Sequence, residues 1–405
     1  MTLPPLPPAG LAALLALVAA MLLRAVHPAR PGVFAPLALM VSLAALAPLA
    51  WAVAAPQQIS PLLTVLLAAL AIALLAREPR ELSQTECALK LTWVLGAAFA
   101  LSSAGDSLLT LATGTAVPLE QWSALELSLD PYALWSAALL MTMLAGLVLL
   151  GGAPFHFWPA DVIHGTRAWF APLIVAALQA SGAAWLLHRL ATLEGFTQGE
   201  KLTGGLLSLA ALVALVGGAF TLAAQRRPER RVGGLASLQG AIVLAAFSVD
   251  PVRAPFASIG PYSLAAWAAH LALALTGAGA LAHFLPVSGR ESDPPSALAR
   301  RHPWSAAAAA YALLSLAGAP GTPGAMLWLE VARRLAGTRH PGLLAALLLA
   351  WLVAVTVAVN ETRRMFGAPT PLPAPQATVP RFARLAFWAV AGGLMALLFV
   401  WSVAA

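Results

Sequence analysis

Charge is what this sequence has least of. Only 10% of its 405 residues are charged, 60% are hydrophobic, and the mean hydropathy is +0.83. A soluble domain carries about 25% charged residues, so this chain has too little polar surface to face water. Lysine is scarcer still: of 23 basic residues, only Lys90 and Lys201 are lysines. The single cysteine, Cys87, excludes an internal disulfide and any multi-cysteine metal site. Strict alternation of polar and apolar residues is also missing, which argues against a transmembrane β-barrel. The opening MTLPPLPPAG lacks the basic stretch of a cleaved signal, so the first apolar segment is expected to be retained.

What is present is a series of long apolar runs. About 20 such residues cross the hydrocarbon core as a helix, and in lipid the backbone must bond to itself, which makes these runs helical. The pattern predicts an all-α polytopic membrane protein with twelve spans. They lie near 9–26, 33–54, 59–76, 87–113, 131–153, 169–190, 202–224, 232–248, 261–285, 304–335, 343–360 and 382–403. No long polar stretch intervenes, so residues 1–405 read as one integral membrane domain. The net charge of +7 comes from arginines in short loops, the topogenic use of charge, and no nucleic-acid binding is expected. With loops numbered by the span they follow, odd loops hold seventeen basic residues. Even loops hold six: Arg189, Lys201, Arg253, Arg333, Arg334 and Arg339. That bias predicts odd loops in the cytoplasm and both termini outside.

Two spans carry helix-breaking sequences. The fifth ends in Gly151-Gly152-Ala153-Pro154, followed by Phe155-His156-Phe157-Trp158. The tenth holds Gly318-Ala319-Pro320-Gly321-Thr322-Pro323-Gly324 near its middle. Proline removes a backbone donor and clashes with the preceding turn, so Pro154, Pro320 and Pro323 predict discontinuous helices. Inside a bilayer such breaks persist only against protein or a wet cavity. Two of them in comparable places suggest an internal repeat of the transporter kind.

These segments carry a resemblance. Gly152-Ala153-Pro154-Phe155-His156-Phe157-Trp158-Pro159-Ala160-Asp161-Val162-Ile163-His164-Gly165 resembles the broken-helix segment of the antiporter-like subunits of respiratory complex I. Its PFH-x-W…DV-x-x-G form resembles in particular the N subunit of the bacterial NADH–quinone oxidoreductase. Glu86-Cys87-Ala88-Leu89-Lys90-Leu91 is similar to that subunit's E-A-S-x-K-Y segment. Arg230-Arg231 before Leu235-Ala236-Ser237 stands where it has K-R-L-L-x-Y-S-S. Residues 315–324 resemble its second break, S-L-A-G-I-P-x-T-x-G. Order and spacing agree over residues 59–366, an antiporter-like core with leading helices in 1–58 and a loop and last helix in 367–405.

The departures from that family bear on function. The resemblance implies an intramembrane glutamate paired with a lysine, a central lysine, and a lysine in the second broken helix, together a charged axis for proton movement. The motif offsets put these positions at Val65, Leu149, Ala180 and Trp328. A lysine relay depends on burial pulling an amine pKa toward neutrality, which none of these side chains can reproduce. An ionisable group at mid-bilayer costs at least about 2.5 kcal/mol, so it persists where it is paired or works. The axis is therefore read as lost.

Other polar residues could supply a residual path. Glu86, Lys90, Asp106, His156, Asp161 and His270 are its candidates. Asp106 and His270 fall inside apolar spans and are read first as bonding to a neighbouring helix, with a rerouted proton wire as the alternative. His156 and Asp161 flank the first break and are expected to satisfy backbone groups freed there. Histidines lack ligand spacing, and Gly233-Gly234 lacks a phosphate-loop context, so no metal, cofactor or direct NADH binding is expected. Most of the thirteen tryptophans sit near predicted span ends, which fits interfacial anchoring.

The resulting expectation is a structural, antiporter-like subunit of a complex I-type membrane arm in a bacterial inner membrane. Its partners would be other membrane subunits and lipid. One alternative is an active ion or small-solute transporter of related fold using Asp106 and His270. Another is the membrane anchor of a hydrogenase or inorganic-carbon uptake complex.

Overall fold

The structure, a computed structural model, describes residues 82–127, 132–152, 154–165, 171–191, 196–249, 264–284, 299, 303–338, 340–367 and 381–404. The first three predicted spans, Val65 among them, lie outside the described residues. The described part is helical: α1 Leu82–Thr113, α2 Pro118–Leu127, α3 Tyr132–Leu149, α4 Trp158–Gly165, α5 Ala171–Ala191 and α6 Thr197–Ala224, then α7 Pro228–Val249, α8 Leu264–Phe284, α9 Pro303–Leu316, α10 Pro323–Gly337, α11 Pro341–Phe366 and α12 Arg381–Ala404. Six of these, α1, α5, α6, α7, α11 and α12, are long and apolar enough to cross a membrane. The two spans predicted to be interrupted are interrupted, as α3–α4 and α9–α10. The short helix α2 was not anticipated; it lies between the predicted spans 87–113 and 131–153, where the sequence reads as a loop.

Hydropathy does not distinguish inner helices from outer ones here, but packing does. The apolar windows of α5 and α7 are 94% and 89% buried, against 33% for α1 and 39% for both α6 and α11. The central helix, α7, touches α4, α5, α6, α8, α9, α10 and α11. Small residues allow this closeness. A Cβ on Gly182 of α5 would stand 2.6 Å from the Leu149 Cβ of α3, and one on Gly105 of α1 would stand 2.6 Å from the Thr142 backbone nitrogen of α3.

The tryptophans correct an expectation. Trp158, Trp267, Trp328 and Trp401 are among the largest fully buried side chains, whereas Trp93, Trp304 and Trp388 are exposed. Alanine- and glycine-rich helices leave volume between their axes, and indoles fill it. Position near a span end was a poor guide to environment.

Candidate functional site: two helix breaks against one central helix

Both breaks are built the same way. At the end of α3, Gly151 takes φ +72; its N–H donates to the Val148 carbonyl at 2.9 Å and that of Gly152 to Leu147 at 3.0 Å. At the end of α9, Gly318 takes φ +75; its N–H donates to Ser315 at 3.0 Å and that of Ala319 to Leu314 at 2.9 Å. This paired bonding across a left-handed glycine is the Schellman helix stop. It refines the proline reading: each helix ends before Pro154 or Pro320 is reached. Those prolines lie exposed in the following turns, and Pro323 opens α10 at its first turn. Glycine stops the helix; proline keeps it from resuming.

A Schellman motif leaves carbonyls over, and in an apolar core each must find a donor. Gln179 of α5 donates through Nε2 to the Leu150 carbonyl at 2.9 Å and to Ala236 of α7 at 2.8 Å. Gln239 of α7 donates to the Leu316 carbonyl at 2.6 Å. Indoles complete the set: Trp158 Nε1 donates to Val148 at 2.7 Å, and Trp351 Nε1 to Gly318 at 2.8 Å. Ser237 of α7 donates to the His156 carbonyl at 2.7 Å. Thus three consecutive residues of α7, Ser237 to Gln239, reach from one break to the other. Sequence reading missed both glutamines, although each is a lone amide within an apolar run.

The positions that the sequence resemblance would align with the family's lysines lie in this same region and hold apolar side chains. Leu149, Ala180 and Trp328 are fully buried. Trp328 stacks on Trp351 with centroids 5.9 Å apart and planes 10° apart, its ring seated over the Gly318 turn. His270 of α8, fully buried, meets the Ser315 hydroxyl at 2.9 Å, which also accepts the Gly324 N–H at 3.4 Å. That serine ties α8, α9 and the start of α10 together.

The remaining candidates do not converge into one path. Glu86 and Lys90 pair at 2.6 Å, Lys90 reaches Asp161 at 3.9 Å, and Arg230 reaches Asp161 at 3.4 Å. Cys87 donates its thiol to the Asp161 carbonyl at 3.1 Å. This cluster joins the starts of α1 and α7 to α4, at one end of the bundle. Asp106 lies twenty residues along α1, roughly 30 Å away at 1.5 Å per residue, and pairs with Arg189 of α5 at 2.6 Å. His156 and Asp161 do not supply donors to the first break, contrary to expectation. What the end of α3 lacks is donors, which amide and indole provide; the Asp161 carboxylate can only accept, and it turns to Lys90 and Arg230. A deeper ion pair also went unread: Arg231 of α7 meets Glu361 of α11, which pairs with Arg364 at 3.2 Å as well.

His164 of α4 belongs to the charged end. Its Nε2 stands 2.8 Å from Arg227 Nη1. Guanidinium can only donate, so Nε2 accepts and the ring is neutral with its proton on Nδ1. Burial first, then the Arg230 guanidinium, hold its pKa below the usual imidazole value, outweighing Glu229. A lowered folded-state pKa contributes stability that is full above the unfolded value, about 6.5, and lost as pH falls below it. Thermal unfolding in detergent is therefore expected to be flat from pH 8 to 7 and to lose stability as pH falls below about 6.5. His164→Gln should lessen that fall; an unchanged profile in the variant would remove His164 as a source of it.

Fold and site together define the class: a multi-pass α-helical membrane protein of the antiporter-like fold, with two discontinuous helices in the paired arrangement that its sequence predicted. No protein-family model matches the chain. It is similar to NADH-quinone oxidoreductase subunit N of Anoxybacillus flavithermus, 29% identical over 199 residues covering 47% of this chain and 38% of that protein. The same subunit of Salinispora tropica is 30% identical over 262 residues, covering 57% and 48% respectively. The chain spans about half the length, or less, of these curated relatives. In structure it resembles a chain of respiratory complex I from Thermus thermophilus, with TM-score 0.73, 21% identity, and coverage of 98% of this chain and 86% of that one. A chain of the Mrp complex from Dietzia sp. DQ12-45-1b gives TM-score 0.71 at 14% identity, covering 98% and 79%. At such identities the structures establish the fold, and the curated relatives carry the resemblance to subunit N.

Proposed function

We propose that this chain is an N-type, antiporter-like subunit of the membrane arm of a complex I-type NADH/quinone oxidoreductase in a bacterial inner membrane. The assembly would couple quinone reduction to proton translocation, while this subunit carries no charged relay, binds no cofactor or NADH, and serves helix packing between neighbouring subunits. The positive-inside bias puts both its termini on the outer side. One observation carries the non-conducting reading: the helix ends that face each other across α7 are held by neutral amides and indoles, with Leu149, Ala180 and Trp328 buried beside them. Neither lysine sits there, since Lys90 lies in the surface cluster and Lys201 near the start of α6 is exposed.

Purification in mild detergent is expected to bring down other membrane subunits, and the isolated chain in liposomes should carry no proton flux. A stable, monodisperse monomer with transport activity would overturn the proposal. The alternative of an active transporter draws on one feature, the fully buried His270 against Ser315. In that case His270→Phe would abolish flux that the wild-type chain supports.

A further inference from the structure

We propose that the groove between the last turn of α11 and the first turns of α7 binds the phosphate headgroup of an anionic phospholipid. The groove has a volume of about 400 Å³ and is lined by Arg231, Asn360, Arg363 and Arg364. Glu361 is the carboxylate beside them, and it is already shared between Arg231 and Arg364. Three guanidiniums against one carboxylate leave a formal excess of two positive charges. Arg363 makes no ion pair among the described residues and is exposed. Guanidinium forks match phosphate oxygens two at a time, and the Asn360 amide adds a neutral donor.

The surroundings favour a lipid over a free anion. The groove lies at the end of a membrane-spanning helix, the level at which headgroups sit. From it an exposed apolar stripe runs back along α11 through Val359, Leu352 and Leu348. Arg363 and Leu352 are eleven residues apart, about 16 Å along a helix, enough to accompany most of an acyl chain. A second arginine-lined groove, with Arg226, Arg227 and Arg230, opens at the same end of the bundle, so the whole end is suited to a negatively charged leaflet.

The test uses the full chain with whatever subunits accompany it in mild detergent, probed by native mass spectrometry with phosphatidylglycerol or phosphatidylcholine. Wild type is expected to retain phosphatidylglycerol at least tenfold over phosphatidylcholine. Arg363→Gln alone should reduce that preference roughly fivefold, and Arg363→Gln/Arg364→Gln should abolish it. Because Arg363 makes no ion pair among the described residues and is exposed, the single variant tests the groove even if the double variant misfolds. Arg333→Gln, at the opposite end of α11's partner helix α10, should leave the preference unchanged. Equal retention of the two lipids, or an unaltered preference in Arg363→Gln, would overturn the proposal. So would occupancy by inorganic phosphate that matches the lipid's, since the apolar stripe would then contribute nothing.

Discussion

Glu361→Ala is expected to destabilise the protein by about 3–5 kcal/mol, the usual cost of stranding one member of a buried ion pair. The Glu361 side chain is 6% exposed and that of Arg231 13%, so loss of the carboxylate leaves a guanidinium on α7 with little water and no counter-charge. Arg364, 57% exposed, can return to solvent and should add little to the loss. The sign of the effect reverses its usual moral about salt bridges. Replacing both partners, as Glu361→Leu/Arg231→Leu, should restore most of the stability, because an apolar pair of similar volume often matches a buried ionic one. Denaturant or thermal unfolding of the purified variants measures this. A single variant within about 1 kcal/mol of wild type would mean that the pair is hydrated and does little to join α7 to α11.

A second large loss is expected from Gly240→Val. A Cβ at Gly240 would overlap the Leu150 carbonyl oxygen, and that oxygen is backbone, held in place by the Gln179 amide. Nothing flexible can yield, so the cost should exceed about 3 kcal/mol, beyond ordinary overpacking. Gly205→Ala in α6 is the matched control. A Cβ there meets nothing within 4 Å, and the exchange should stabilise the helix by up to about 1 kcal/mol. If the two variants behaved alike, the close approach of α7 to the first break would be wrong.

Much of this fold was legible because the bilayer leaves few choices. Runs of twenty apolar residues become helices, and the predicted edges of the described spans fall within about six residues of the helix ends observed. The breaks were legible too, since the Gly-Gly and Gly-Ala-Pro-Gly runs have no other use at mid-span. What stayed hidden was the partner of each group. Nothing in the string Ala-Leu-Gln-Ala says that Gln179 serves a carbonyl twenty-nine residues away, nor that Glu361 answers Arg231 across 130 positions. Asp106 does bond to a neighbouring helix, as its sequence suggests, but nothing in the sequence names Arg189 as the partner. Burial misled in the same way: tryptophan at a span end can turn to lipid or inward, and only the neighbouring helices decide. Charge and hydropathy report the solvent around a helix, whereas hydrogen-bond partners report its packing.

The placement of charge has an electrical consequence. The ends of α3 and α9 are held by glutamine, tryptophan and serine, with no Asp, Glu, Lys or Arg among the groups that bond them. The described ion pairs instead gather toward the two ends of the bundle. A membrane voltage of 100 mV does about 2.3 kcal/mol of work on each elementary charge that crosses the full field. Rearranging neutral amides about the two breaks moves almost no charge through that field. The position of the breaks is therefore expected to be indifferent to the membrane potential.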